Sequence, residues 1–245
     1  MPVSVIDSPL ARKLAVFVAL PDADLAVLSA LFVRRRRFPK GRDIVFEGQT
    51  DQSANVLASG WVCSYKVLNS GARQIVDFQI PGDFLGLRSV LFRTSDHNIE
   101  PVTRIEASEV TTSDLLAAFD TNPRLATAVL WAASRDEAMV VEHLVGMGRR
   151  NATERMAHFR LELGARLRLV GLADGGGYAC PLSQYMLADA LGPSAVHVNR
   201  VLRELRETGL CTFQNRRVTF HDHAALVAMC GFDKTYLDHD GPLLA

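Results

Sequence analysis

Nine consecutive residues, Ser194-Ala195-Val196-His197-Val198-Asn199-Arg200-Val201-Leu202, carry side chains suited to reading another molecule. Wound as a helix from Ser194 to about Thr208, the segment separates into two faces. Val198, Val201, Leu202 and Leu205 form an aliphatic stripe. Val196, Asn199, Arg200, Arg203 and Glu207 lie opposite, with His197 and Glu204 on one flank. A guanidinium can fork onto guanine O6 and N7, a carboxamide can pair with adenine, and an apolar group can meet a thymine methyl. The chemistry implied is recognition of base edges in a DNA major groove. Residues near the start of such a helix reach the bases. Arg200 is therefore assigned direct readout and Val196 a thymine methyl. Ser194, His197 and Asn199 are assigned to phosphates and register.

The flanking residues supply the elements that must hold this face in place. Ser183 can cap a first helix through Leu191, because its hydroxyl accepts from a free amide of the first turn. Gly192 breaks that helix where positive φ is needed. A short turn containing Gly is the connection a helix-turn-helix uses. Downstream, Cys211-Thr212-Phe213 and Val218-Thr219-Phe220 are short β-prone runs around Gln214-Asn215-Arg216-Arg217. They predict a two-stranded wing whose basic tip, Arg216 and Arg217, touches DNA backbone. Asp174-Gly175-Gly176-Gly177 reads as a flexible loop entering this unit. Asp222 reads as the cap of a closing helix through Met229, and the tail beyond as poorly fixed.

The chain has 245 residues, enough for two domains. Lysine plus arginine equals aspartate plus glutamate, so the formal charge is zero. The distribution is uneven. From Arg149 to Arg217 there are eleven arginines and six acids, a local charge of +5. An electrostatic footprint for nucleic acid therefore coincides with the recognition motif. No apolar run is long enough to span a membrane and no signal peptide is evident, so a cytoplasmic location is expected. Cys63, Cys180, Cys211 and Cys230 lack metal-ligand spacing. Cys180 and Cys211 flank the helix-turn-helix, which raises oxidation of these thiols as a control on DNA binding. No phosphate loop, zinc-protease motif or nucleophile elbow is present. No catalytic residue, metal site or cofactor is expected, and Asp222 of His221-Asp222-His223 is read as a cap, not a ligand.

From about Phe38 to Thr112 the texture is short β-prone runs separated by glycine turns, as in a small sandwich or barrel. The runs are Asp43–Phe46, Asn55–Leu57, Trp61–Val67 and Gln74–Phe78. Phe38-Pro39-Lys40-Gly41, Phe46-Glu47-Gly48, Ser59-Gly60, Gly71 and Pro81-Gly82-Asp83-Phe84 follow the order of a cyclic-nucleotide-binding jelly roll. Together with the winged helix, the chain resembles the Crp/Fnr family of bacterial transcription regulators over about residues 20–235. The resemblance implies a sensor pocket near Phe84, Gly86, Leu87, Arg88, Asn98 and Ile99. It also implies a Glu for the ribose and an Arg-Ser pair for the cyclic phosphate. Here Leu87 stands where the Glu belongs, and Asn98-Ile99 where the Arg-Ser belongs. A buried phosphate without its Arg is costly, so cyclic AMP is not the expected effector. No cysteine precedes Cys63, so the N-terminal iron–sulfur cluster of some members is not expected. His97, His143 and His158 are the conceivable haem ligands, and each is better explained as an ordinary surface or core residue. Arg34-Arg35-Arg36-Arg37 reads as a solvated strand, or as one paired with acids on a neighbouring element, in preference to a nucleic-acid patch.

Between the halves, Asn122 can cap and Pro123 can begin a helix of about residues 122–146. Leu130, Ala133, Glu137, Val140, Leu144 and Met147 repeat as a two-helix seam requires. A second register, Leu125, Val129, Ala132, Asp136, Met139 and His143, is left to pack on the β domain. The resemblance makes this helix the homodimer contact, so two half-sites of a palindromic operator are expected about one helical turn apart. Gly146-Met147-Gly148 reads as the hinge. The expected fold is α+β: an N-terminal β jelly roll (double-stranded β-helix) at 20–120, a long dimerisation helix and hinge at 121–148, and a C-terminal winged helix-turn-helix at 149–232. The expected partners are double-stranded DNA, a second copy of the chain and RNA polymerase. An unknown small-molecule effector, or control by abundance or thiol oxidation, completes the reading.

Overall fold

Alternating apolar residues between the glycine turns produce seven short antiparallel strands in two sheets. The computed structural model describes residues 8–50, 53–237 and 241–242. The strands are β1 (Arg35–Phe38), β2 (Ala54–Ser59), β3 (Val62–Val67), β4 (Arg73–Gln79), β5 (Phe84–Leu85), β6 (Asn98–Pro101) and β7 (Ile105–Val110). One sheet has the order β1-β7-β2-β5 and the other β4-β3-β6. Leu57, Val62, Leu85, Ile99, Ile105 and Ala107 fill the space between them. Asp43–Phe46 does not form the expected strand and makes only a single bridge, Val45 to Ile99. The reason is local: the Phe46 amide donates to the Gln49 side chain at 3.1 Å, which turns the chain out of the ladder.

Three helices not anticipated from the sequence surround this roll. α1 (Pro9–Leu14) and α2 (Asp22–Ala30) precede it, and α3 (Thr112–Thr121) follows it. Gly82 holds φ +94°, and a Cβ there would lie 2.8 Å from the Pro9 carbonyl oxygen. Only glycine lets α1 cross the Pro81–Asp83 turn this closely.

α4 (Pro123–Arg149) begins as expected, with Asn122 Oδ1 accepting from the Leu125 amide at 3.1 Å. It does not stop at the glycines. Gly146 and Gly148 remain helical, and the chain breaks at Arg150, which is extended. The break belongs to Asn151 and Glu154, which form a capping box that starts α5 (Ala152–Leu169). The two registers of α4 separate as proposed for packing. Leu125, Val129 and Ala132 are buried in the core shared with the roll and Met139 is buried further along, whereas Leu130 and Leu144 are 67% and 72% exposed.

α5 buries Met156, Phe159, Leu163 and Leu167, the expected face. It also buries Arg160, Glu162 and Arg166, whose partners lie elsewhere in the fold. Asp174–Gly177 is not a flexible loop: β8 (Ala173–Asp174) and β9 (Gly177–Ala179) form a tight hairpin. It joins β10 (Cys211–Gln214) and β11 (Arg217–Phe220) in a sheet of order β10-β11-β9-β8. α6 (Gln184–Leu191), α7 (Ala195–Glu207) and α8 (His223–Cys230) complete the unit. The tail up to Leu237 is better fixed than expected, and residues 238–240 and 243–245 lie outside the described residues. Lys234–Leu237 forms a 3₁₀ turn, and Leu237 is fully buried. One core runs from Trp61, Cys63, Ile75 and Phe78 of the roll into the winged helix. At its edge Arg73 of β4 meets Asp189 of α6 at 3.0 Å.

Candidate nucleic-acid interface

Ser183 and Ser194 start the two helices of the motif by the same device. Ser183 Oγ accepts from the Met186 amide at 3.2 Å, and Ser194 Oγ accepts from the His197 amide at 3.3 Å. Between them Gly192 takes φ +86°, with Met147 of α4 packed where a Cβ would be. Val198, Val201 and Leu205 are buried, which pins α7 to the domain. Val196, His197, Asn199, Arg200 and Arg203 are left facing outward. Val196 is 75% exposed.

Val196, Asn199, Arg200 and Arg203 line one open concavity with Gln184 and Tyr185 of α6. Tyr185, 74% exposed, and Gln184 were not picked out by the sequence reading. The available signal was their place at the start of the first helix, the part of the motif that crosses DNA backbone. Asn199 Nδ2 donates to Gln184 Oε1 at 3.2 Å, so the two helices share a polar contact at the mouth of the concavity. Ser194 Oγ accepts the cap bond with one lone pair, which leaves its O–H a donor.

The wing closes through Asn215 and Arg216, with φ +51° and +57°. Two left-handed residues make the hairpin turn whose twist matches the strands. Arg216 is exposed at the tip. Arg217 differs from expectation: its guanidinium is 3.1 Å from Asp174 of the β8–β9 hairpin. That pair draws the Asp174 carboxyl below its ordinary value, behind the larger effect of the Gly176 amide.

The +5 charge of residues 149–217 is likewise not all available to DNA. Arg166 is 2% exposed among Asp77, Asp83 and Glu162. Arg160 is 1% exposed, donates to Cys180 Sγ at 3.1 Å and stacks on Phe213. Arg150 pairs with Glu142, and Arg155 donates to the carbonyls of Gly146 and Leu191. Arg150, Arg155 and Arg166 build the domain junction, and Arg160 sits in the core of the winged-helix unit. Arg200, Arg203, Arg206 and Arg216 remain exposed on the motif and wing.

The sensor-pocket residues do not converge. Phe84 packs into the core formed with α1 and α4, and Ile99 into the separate core between the sheets. Asn98 Oδ1 accepts from the Glu47 amide at 3.1 Å. Arg88, beyond Gly86 and Leu87, turns to Asp96 at 3.2 Å and to His97. The Arg34–Arg37 run meets acids as expected: Arg34 pairs with Asp114, Arg36 with Glu109 and Arg37 with Glu106. All four cysteines are free and buried. Burial pushes the Cys211 thiol up to about 11 and Cys63 to about 12, which makes them poor targets for oxidation. Among the described residues no helix is long and apolar enough to cross a membrane. No cluster of three His, Cys, Asp or Glu among them is placed to hold a metal. Asp222 serves as the cap of α8, accepting from the Ala225 amide at 2.9 Å.

Comparison with known proteins agrees with this architecture. The cyclic nucleotide-binding domain model matches residues 35–122, and the Crp-like helix-turn-helix model matches residues 154–229. The nitrogen fixation regulation protein FixK of Azorhizobium caulinodans is 33% identical over 77% of this chain and 76% of its own length. FixK of Bradyrhizobium diazoefficiens is 28% identical over 89% and 90% of the two chains. The solved structure of FixK2 from Bradyrhizobium japonicum is similar with a TM-score of 0.72 at 28% identity, covering 80% of this chain and 96% of that one. With a β roll, a long connecting helix and a winged helix-turn-helix in this order, the chain belongs to the Crp/Fnr family of bacterial transcription regulators.

Proposed function

We propose that two copies of the chain bind a two-fold operator, with each α7 in a major groove and each Arg216 tip near the backbone. The carrying observation is the shared exposure of Val196, Asn199, Arg200 and Arg203 on a helix whose other face is buried. α4 is the dimer contact, through Leu130, Ala133, Glu137, Val140, Leu144 and Met147. Bound DNA then recruits or blocks RNA polymerase. Arg200 reads a guanine, and Val196 a neighbouring thymine methyl. Arg203 and His197 hold phosphates, as does the Ser194 hydroxyl. Arg217 is a weaker member of this set because Asp174 competes for it.

Selection of bound duplexes from a random pool should return a palindrome with half-sites about one helical turn apart. Replacing Arg200 by alanine should cost about 1–3 kcal/mol of binding and relax preference at a single base pair. Uniform weakening on every sequence would remove Arg200 from base readout.

The effector is not cyclic AMP. The two residues that the resemblance places at the cyclic phosphate, Asn98 and Ile99, include no cation, and Arg88 is held by Asp96. Titration calorimetry with cyclic AMP should show no binding in the micromolar range, and a measurable isotherm would refute this. The filled space between the sheets supports a second reading, in which the protein is constitutively competent and controlled by its abundance.

A further inference from the structure

After α8, residues 231–237 return from the winged helix to the connecting helix. α8 packs on α5 and ends at Gly231, which is left-handed. Phe232 then sets its ring edge on His158, at 5.1 Å between centroids. Asp233 Oδ1 accepts from the Thr235 amide at 2.9 Å and so tightens the 3₁₀ turn. Tyr236 lies flat against His158, at 6.0 Å and 12°. Its hydroxyl donates to Glu162 Oε2 at 2.8 Å. The other oxygen of Glu162 faces His143 of α4 at 3.1 Å. One residue later, the fully buried Leu237 offers its carbonyl to Arg135 Nε of α4 at 3.0 Å.

Tyr236 and Leu237 thus span both sides of the joint. The covalent connection between α4 and the winged helix is Arg150–Asn151, and the contacts of Arg150 and Arg155 with α4 lie beside it; the Tyr236–Leu237 segment adds an attachment at a different point along α4. Rotation about one such joint swings α7 relative to the dimer axis. A second attachment on the far side of α5 opposes that rotation.

From this geometry we infer that Tyr236 is a positioning residue for DNA binding: it anchors on α5 the segment whose next residue, Leu237, is held by Arg135 of α4, and the strap so formed sets the angle at which a dimer offers its two α7 helices. The inference rests on the dimeric DNA-binding reading above. It separates two quantities that a simple stability role would move together. Affinity for one half-site depends on α7 and the wing alone. Affinity for two half-sites also depends on how well the second helix is already aimed, because the second contact is intramolecular.

The test uses the full chain, the palindrome selected by the wild-type protein and a duplex carrying one of its half-sites, read by fluorescence anisotropy. Tyr236→Ala should weaken palindrome binding by about tenfold or more, through lost preorganisation, while half-site binding stays within about twofold. Tyr236→Phe keeps the stacked ring and loses only the bond to Glu162, so its palindrome affinity should fall between the two. Light scattering should give a dimer mass for all three proteins. Equal losses on both duplexes, or no loss on either, would overturn the strap. Should Tyr236→Ala fail to fold, Tyr236→Phe decides by the same comparison. A wild-type protein with no preference for any palindrome would instead refute the DNA-binding reading itself.

Discussion

Arg166→Ala is expected to lower the unfolding free energy by about 3–5 kcal/mol, the cost of breaking a buried ion pair from one side. Arg166 donates to Asp83 Oδ2 at 2.9 Å and to the Phe78 carbonyl at 2.8 Å. Asp77 and Glu162 lie at 3.5 and 3.7 Å. Asp83 is 3% exposed and Glu162 fully buried, so water cannot replace the lost cation. Lys13, at 2.9 Å from Asp83, remains but serves Asp83 and Asp136 alone. The same variant should change the response to acid. Burial by itself would raise the pKa of Glu162, yet His143 and Arg166 overrule it and hold the carboxyl at about 2 instead of 4.5. Asp83 is depressed in the same sense: burial opposes ionisation, and Lys13 and Arg166 overcome it. A depressed carboxylate contributes stability above its unfolded value and loses it as pH falls through the folded value. Removing Arg166 weakens both depressions, so acid unfolding should begin at a higher pH. Urea titrations at neutral pH and across the acid range would measure both effects. A loss under about 1 kcal/mol would show the cluster to be a surface-like pair, in the range of exposed salt bridges.

Leu144→Glu is expected to yield a monomer and to reduce palindrome affinity on the order of 100-fold or more, since the second half-site then binds as a separate molecule. Leu144 is 72% exposed, with Val140 and Val141 one turn before it at 50% and 53% and Leu130 farther along the same helix at 67%. A carboxylate in the middle of this strip would have to be desolvated against a second copy without a cation beside it. The fold of each chain should survive, because Leu144 makes no core contact within it. Binding to a single half-site should be retained. Light scattering with anisotropy on both duplexes checks the claim, and an unchanged dimer mass would move the seam to another face.

Much of this molecule is written in short-range pattern. Ser183, Ser194, Asn122 and Asp222 all cap the helices they precede, because a cap is a bond across three residues. The two faces of α7 follow from its helical period, and the hairpin of Asn215-Arg216 from the spacing of two β-prone runs. The two registers of α4 are legible for the same reason. The end of α4 is less legible: Gly146 and Gly148 stay helical, and the break is set by the capping box of Asn151 and Glu154 that starts α5.

What no window along the chain contains is the meeting of distant residues. Arg160 and Arg166 look like members of a basic footprint, yet they sit in the interior, Arg166 against an aspartate 83 positions away. Arg217 is drawn to Asp174 by a hairpin that four loop-like residues gave no reason to expect. Phe84 and Ile99 enter different cores instead of one pocket. The tail is held by Arg135, which lies 102 positions earlier. Periodicity and capping act within a turn or two of backbone. The burial of a charge depends on whether the assembled layers bring a counter-charge to it, and that is a property of packing.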